Sequence, residues 1–184
     1  MSANTPTDEL FDSITAESRD IFAAKLGEYG PSFTVFRPRS LVDKLWIKGR
    51  RIRTLEEVEE SRVPEGIRGE YLALINYSAI GLMRVRHPEN FPDALDERLR
   101  VSDDEILSMY DDVIADAKSL VVRKNHDYRE SWRDMHITSI TDILLDKIVR
   151  LKSTAESEWT DELEPQFIDI LNYAVFAVHK LDSA

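Results

Sequence analysis

The 184-residue chain has no cysteine, which excludes a disulfide framework, a thiolate zinc site and a cysteine nucleophile. Positive charge is scarce: 24 Lys and Arg stand against 35 Asp and Glu, a formal net charge of −11. Duplex nucleic acid is held by cations set against phosphates, so that class of partner is excluded, although a local basic cluster still suffices for one nucleotide. Long apolar runs are missing too. The longest lies within Tyr173 to Val178, too short to span a bilayer. The start, Met1 to Asp8, has neither a basic segment nor an apolar stretch, so no signal peptide is predicted and a cytoplasmic protein is expected. No stretch alternates polar and apolar residues between turn signals as a strand does. What remains, with 42% hydrophobic residues, is enough for a packed all-α protein.

The chain repeats itself. Leu10 to Arg51 match Met109 to Arg150 at a constant offset of 99 residues, through pairs such as Lys25/Lys124, Tyr29/Tyr128, Ser32/Ser131, Phe33/Trp132, Asp43/Asp142, Lys48/Lys147 and Arg51/Arg150. A three-residue gap then shortens the offset to 96, and Tyr71/Phe167, Asn76/Asn172 and Tyr77/Tyr173 pair. One shared offset across identical Lys, Tyr, Ser and Asp residues reads as a tandem duplication.

Each copy reads as three helices. The first copy, residues 7–86, has helices from Thr7 to Glu28, from a Ser40 cap to about Ser61, and from Pro64 to about Arg86. Residues 87–101 form a turn-rich linker. The second copy, 102–181, has helices near Ser102–Lys124, Ser139–Ser157 and Asp161–Leu181. The segment 173–178 is apolar on most sides of its helix, so it should be covered on more than one face. The simplest solution is one domain in which the copies pack as a pseudo-two-fold helical bundle; a homodimer beyond that is left open.

Three groups of residues bear chemistry. At 100° per residue, Ile140, Ile143, Leu144, Ile148 and Leu151 share one side of a helix, with Lys147 in the middle of that side and Arg150 at its edge. A buried ammonium needs a counter-charge, which is either a carboxylate of the neighbouring helix or a ligand's phosphate. Lys124, Tyr128, Ser131 and Trp132 lie around the loop that precedes this helix. Lys124 reads as a helix C-cap or a phosphate ligand, and the two aromatics as a plug of the bundle end or as stacking surfaces for a base. Asp142, Asp161 and Asp169, with Asn172, offer hard oxygens for Mg²⁺. The spacing Asp161-x-x-Glu164 equally reads as a capping box. The copies differ here, because Asp169 has Ala73 opposite it and Glu164 has Arg68. By this reading the first copy has lost an acid, and any metal belongs to the second.

The segments Arg37 to Arg53, Glu65-Gly66-Ile67 and Ile75-Asn76-Tyr77, and then Lys124-Asn125-His126-Asp127-Tyr128, Ser131 to Met135 and Asp169 to Ala177, resemble the nucleotide modification associated domain, an all-helical family of unknown function. The likeness covers roughly Leu10 to Leu181. Arg129 stands where that pattern has the glycine supplied here by Gly30. The acids also bear a fainter likeness to the MazG-type all-α NTP pyrophosphatases, which bind Mg²⁺ through ExxE and ExxD pairs. Glu158-x-x-Asp161 and Gln166-x-x-Asp169 are the nearest counterparts. The resemblance implies nucleotide metabolism. The expectation is a nucleotide-binding helical protein, extending to a Mg²⁺-dependent nucleotide pyrophosphohydrolase. In it Lys124, Lys147 and Arg150 hold phosphates, Tyr128, Ser131, Trp132 and Asn172 complete the ligand site, Asp142, Asp161 and Asp169 hold the metal, and Glu164 is the base. The alternative is a non-catalytic helical module that binds a nucleotide or a protein.

Overall fold

The computed structural model describes residues 6–58, 66–91, 101–154 and 159–184. Six α-helices run through them: α1 (Thr7–Tyr29), α2 (Pro38–Glu57), α3 (Ile67–Arg86), α4 (Asp103–Tyr128), α5 (Ile137–Ser153) and α6 (Glu164–Asp182). Short 3₁₀ turns at Ser32–Val35 and Ser131–Asp134 join α1 to α2 and α4 to α5, in equivalent places of the two copies. There is no strand among the described residues.

Local chemistry moves several helix ends away from where the sequence pattern puts them. α2 starts not at a Ser40 cap but at Pro38, whose fixed φ suits the first helical position, and α5 starts at the matching residue, Ile137, rather than at Ser139. Ser102 does cap its helix: its hydroxyl accepts from the Glu105 amide, while Glu105 Oε2 accepts from the Ser102 amide at 3.0 Å. The expected box at Asp161-x-x-Glu164 does not form. Asp161–Leu163 is a 3₁₀ turn headed by Thr160, whose hydroxyl accepts from the Glu162 amide, and α6 begins only at Glu164. Pro64, the expected start of α3, and Ser157 and Glu158 beyond α5 lie outside the described residues, as do 92–100 of the linker.

Arg129 makes its turn without a glycine. It takes the left-handed conformation (φ 48°, ψ 42°), followed by Glu130 at φ 55°. Glu130 is held there by Arg133 at 2.8 Å and by the Thr7 hydroxyl. The Arg133 hydrogen bond, ahead of burial that opposes it, keeps the Glu130 carboxyl below its ordinary range.

α3 and α6 form the centre and are buried on nearly every side. Tyr71 to Ile75, apart from Ala73, and Ala174 to His179 are all buried, as the apolar run required. α2 packs on α3 and α5 on α6, and the two halves meet along α3–α6, α2–α5 and α1–α4. Two glycines allow this closeness. A methyl on Gly81 would overlap the ring of the fully buried Phe167, and one on Gly49 would sit 3.0 Å from Leu145 Cδ2.

Ion pairs repeat across the pseudo-two-fold relation. Arg19 pairs with Asp111 and its counterpart Lys118 with Asp12, while Arg53 lies 3.7 Å from Asp142 and its counterpart Lys152 3.3 Å from Asp43. At the ends of the central helices, Arg68 bridges Glu17 and Asp182, and Arg86 bridges Asp116 and Glu164. These two triads occupy equivalent positions with the signs of one pair exchanged. That exchange explains why Glu164 stands opposite Arg68.

Candidate functional site

Asp169, near the start of α6, receives two ammonium groups from two other helices. Lys147 of α5 lies 2.8 Å from Oδ2 and Lys124 of α4 lies 3.0 Å from Oδ1. The carboxylate is 17% exposed. An ammonium in the apolar face of α5 cannot stand alone, and Lys147 resolves this by reaching across to α6. α4 runs one turn further than its pattern predicts, to Tyr128, so Lys124 does not cap the helix end and turns to the acid instead.

Beside this cluster is a cavity of about 250 Å³ between α4, the turn after it, and α6. Lys124, Tyr128, Ser131, Trp132, Asp169 and Asn172, six of the residues singled out from sequence, line it. Lys147 does not; it stands behind Asp169 and holds the far oxygen. Val121, Asn125, Met135, Tyr173 and Phe176 complete the wall and were missed, because none of them carries a charge. The aromatics divide between the two expected roles. Trp132 is buried, stacked on Phe176 with centroids 4.3 Å apart and with the Arg133 guanidinium 4.6 Å from its ring; it plugs the bundle end. Tyr128 is 67% exposed and remains a free flat surface at the mouth.

The other candidates lie elsewhere. Arg150 pairs with Asp146 on the outside of α5. Asp142 lies exposed at the α2–α5 seam, 3.7 Å from Arg53, Asp161 is exposed in the turn before α6, and Glu164 gives its carboxylate to Arg86 at 2.6 Å. A hard dication needs several carboxylate or carbonyl oxygens converging at short range. Asp169 meets lysines on both oxygens, and no group of three or more His, Asp or Glu that could hold a metal exists among the described residues. The donor set expected for Mg²⁺ does not fit.

The first copy carries the twin of this cavity, about 270 Å³, with Lys25, Tyr29, Ser32, Phe33, Ala73 and Asn76 at the equivalent positions. Its acid has not been lost but moved one turn earlier, to Glu70, which is 2% exposed and takes Lys48 at 3.0 Å and Arg51 at 2.6 Å. The signal was legible: Glu70 is the single acid between Ile67 and Met83. With Ala73 in place of the aspartate, Lys25 borders an otherwise largely apolar cavity.

No described helix is long and apolar enough to cross a membrane. Neither a curated protein nor a solved structure matches the chain. A family model does, over residues 25–85 and 124–181. Its two segments begin 99 residues apart and end 96 apart, the same two offsets that relate the copies. On that match over most of its length, the chain belongs to the family described as nucleotide modification associated domain 1.

Proposed function

We propose that the chain binds a nucleotide in the second-copy cavity, with Lys124 as the phosphate ligand and Tyr128 against the base or sugar. The observation that carries this is the convergence of two ammonium groups on one carboxylate at the cavity wall. Two cations for one anion leave a surplus positive charge in a protein that is otherwise strongly acidic. Lys147 keeps Asp169 in place, so Lys124, half exposed, is free to turn to a phosphate without stranding the acid. Ser131 adds a hydroxyl at the same wall, and an aromatic beside a cation is the usual surface for a stacked base. Membership of a family named for nucleotide modification agrees with this class of ligand. The reading is one of binding rather than hydrolysis, because Asp142, Asp161 and Asp169 do not share a site.

The test is a thermal-shift panel of nucleoside mono-, di- and triphosphates, ribo and deoxy, with and without Mg²⁺. Nucleotides should raise the melting temperature more than the corresponding nucleosides do. Lys124→Met should weaken the best of them by about tenfold or more, the loss of one charged hydrogen bond. If no nucleotide shifts the melting temperature at millimolar concentration, the reading fails. Release of phosphate or pyrophosphate with Mg²⁺, abolished by Asp169→Ala, would replace binding by hydrolysis.

A further inference from the structure

Asn76 and Asn172 hold the same place in the two copies, and only one of them has its hydrogen bonds complete. Asn76 Oδ1 accepts from the Ser18 hydroxyl at 2.9 Å and from the Tyr110 hydroxyl at 2.7 Å, while its Nδ2 donates to the Ser18 carbonyl at 3.1 Å. The residues at the positions matching Ser18 and Tyr110 in the opposite sense are Ala117 and Phe11, which carry no hydroxyl. Among the described residues Asn172 therefore keeps only the backbone contact, Nδ2 to the Ala117 carbonyl at 3.5 Å, which orients the amide. Its Oδ1 accepts from no group among the described residues, although the residue is only 4% exposed.

Buried polar atoms in folded proteins are nearly always paired, and one left open calls for an explanation. The explanation here is local, since Asn172 lines the same cavity as Lys124. A second buried, unpaired polar atom belongs to another residue of that wall. Trp132, where the first copy has Phe33, has a buried indole N–H with no acceptor among the described residues. The first-copy cavity has neither feature: its asparagine is satisfied and its aromatic has no polar atom. Of the two cavities, only the second is lined by residues that keep an unpaired buried polar atom among the described residues.

We infer that Asn172 is a specificity-determining residue, whose Oδ1 accepts an N–H from the base of the bound nucleotide. This rests on the nucleotide reading above and deepens it. Every common nucleobase presents an amino or imide N–H on its pairing edge, the edge that proteins read on an unstacked base. A site built to receive such a donor rejects an analogue that lacks it, because the protein acceptor is then left buried and unpaired. Asn76, saturated by Ser18 and Tyr110, has no such capacity and serves packing.

The experiment uses the full chain and two independent perturbations, read by calorimetry. In the first, thymidine monophosphate and adenosine monophosphate are compared with their N3-methyl and N6,N6-dimethyl analogues, which keep phosphate and sugar but lack the donor. Each parent that binds should bind about tenfold more tightly than its blocked analogue. In the second, Ala117→Ser gives Asn172 the hydroxyl that Ser18 gives Asn76. The melting temperature of this variant should be at least that of the parent, and its nucleotide affinity lower by about tenfold. If Ala117→Ser does not fold, Phe11→Tyr supplies the other hydroxyl. Equal binding of parent and blocked analogues, or unchanged affinity in the folded hydroxyl variant, overturns the inference. Should Lys124→Met still weaken binding in that case, the nucleotide site stands and only the role of Asn172 falls. Absence of binding by any nucleotide removes both.

Discussion

At the scale of the residue, the same side chain has different work in the two copies because of what stands one turn away. Lys147 and Lys48 both sit in the middle of an apolar face, where an ammonium is costly unless paired. In the first copy Glu70 takes Lys48 and Arg51 together; in the second, Asp169 takes Lys147 and, from the cavity side, Lys124. Moving the acid by one helical turn changes which lysine it can reach, and so whether a cation borders the cavity alone or beside a carboxylate. Arg129 is a second case. A residue with a Cβ in the left-handed region costs about 1–2 kcal/mol that glycine does not incur; Gly30, at the matching position, turns differently, with φ 61° and ψ −166°. Part of that gain is offset by the greater freedom of glycine in the unfolded chain. Arg129→Gly should therefore raise stability by about 0.5–1 kcal/mol, seen as a higher urea midpoint with an unchanged slope. A lower midpoint would mean that the Arg129 side chain supports the turn.

At the scale of the element, α3 and α6 set the dimensions of the molecule. They are apolar nearly all round, so they must be enclosed, and the close approach at Gly81 is what lets Phe167 fill the space between them. Alanine is the better helix former by about 1 kcal/mol, yet here its methyl would meet an aromatic ring that has no exposed direction in which to move. Overpacking of this kind costs about 1–3 kcal/mol, and the ring should decide the sign. Gly81→Ala should lower the denaturation midpoint, and adding Phe167→Leu in the same chain should recover part of the loss. A stabilised Gly81→Ala would show that the α3–α6 contact yields. At the other elements the deviations are small in length and large in consequence. One additional turn of α4 carries Lys124 from the helix end to the wall of the cavity.

At the scale of the whole molecule, two copies of a three-helix unit cover each other's inner helices and register themselves with mirrored ion pairs. The triads at the ends of α3 and α6 are the most telling, because Arg68–Asp182 in one is Glu164–Arg86 in the other, with Glu17 and Asp116 as the third members. Arg68 holds the Glu17 carboxyl below its usual range by direct hydrogen bonding, ahead of the burial that opposes it. Reversing the second triad to match the first tests this arrangement. Glu164→Arg alone, or Arg86→Asp alone, sets like charges together and should cost about 1 kcal/mol each. The double variant restores the pairing, and its urea midpoint should return most of the way to that of the parent. If the two losses simply add, the triads contribute nothing to registration.

Sequence alone determined the duplication, the all-helical class, the six helices to within a turn or so, and the lysine that had to find a counter-charge. Those follow from periodicity and from the cost of burying charge, which are local properties of a chain. It also singled out Lys124, Tyr128, Ser131 and Trp132 around one loop and Asp169 and Asn172 among the acids of the last helix; that these six line one cavity is a matter of packing. Tertiary structure decided the rest. It placed Asp142 and Glu164 in seams between the copies, left Asp161 and Arg150 outside the cavity, and left the Asn172 acceptor open where Asn76 is closed. Each of those outcomes depends on which residue of the other copy stands within hydrogen-bonding or ion-pairing reach, and a linear pattern contains that distance only after the helices have packed.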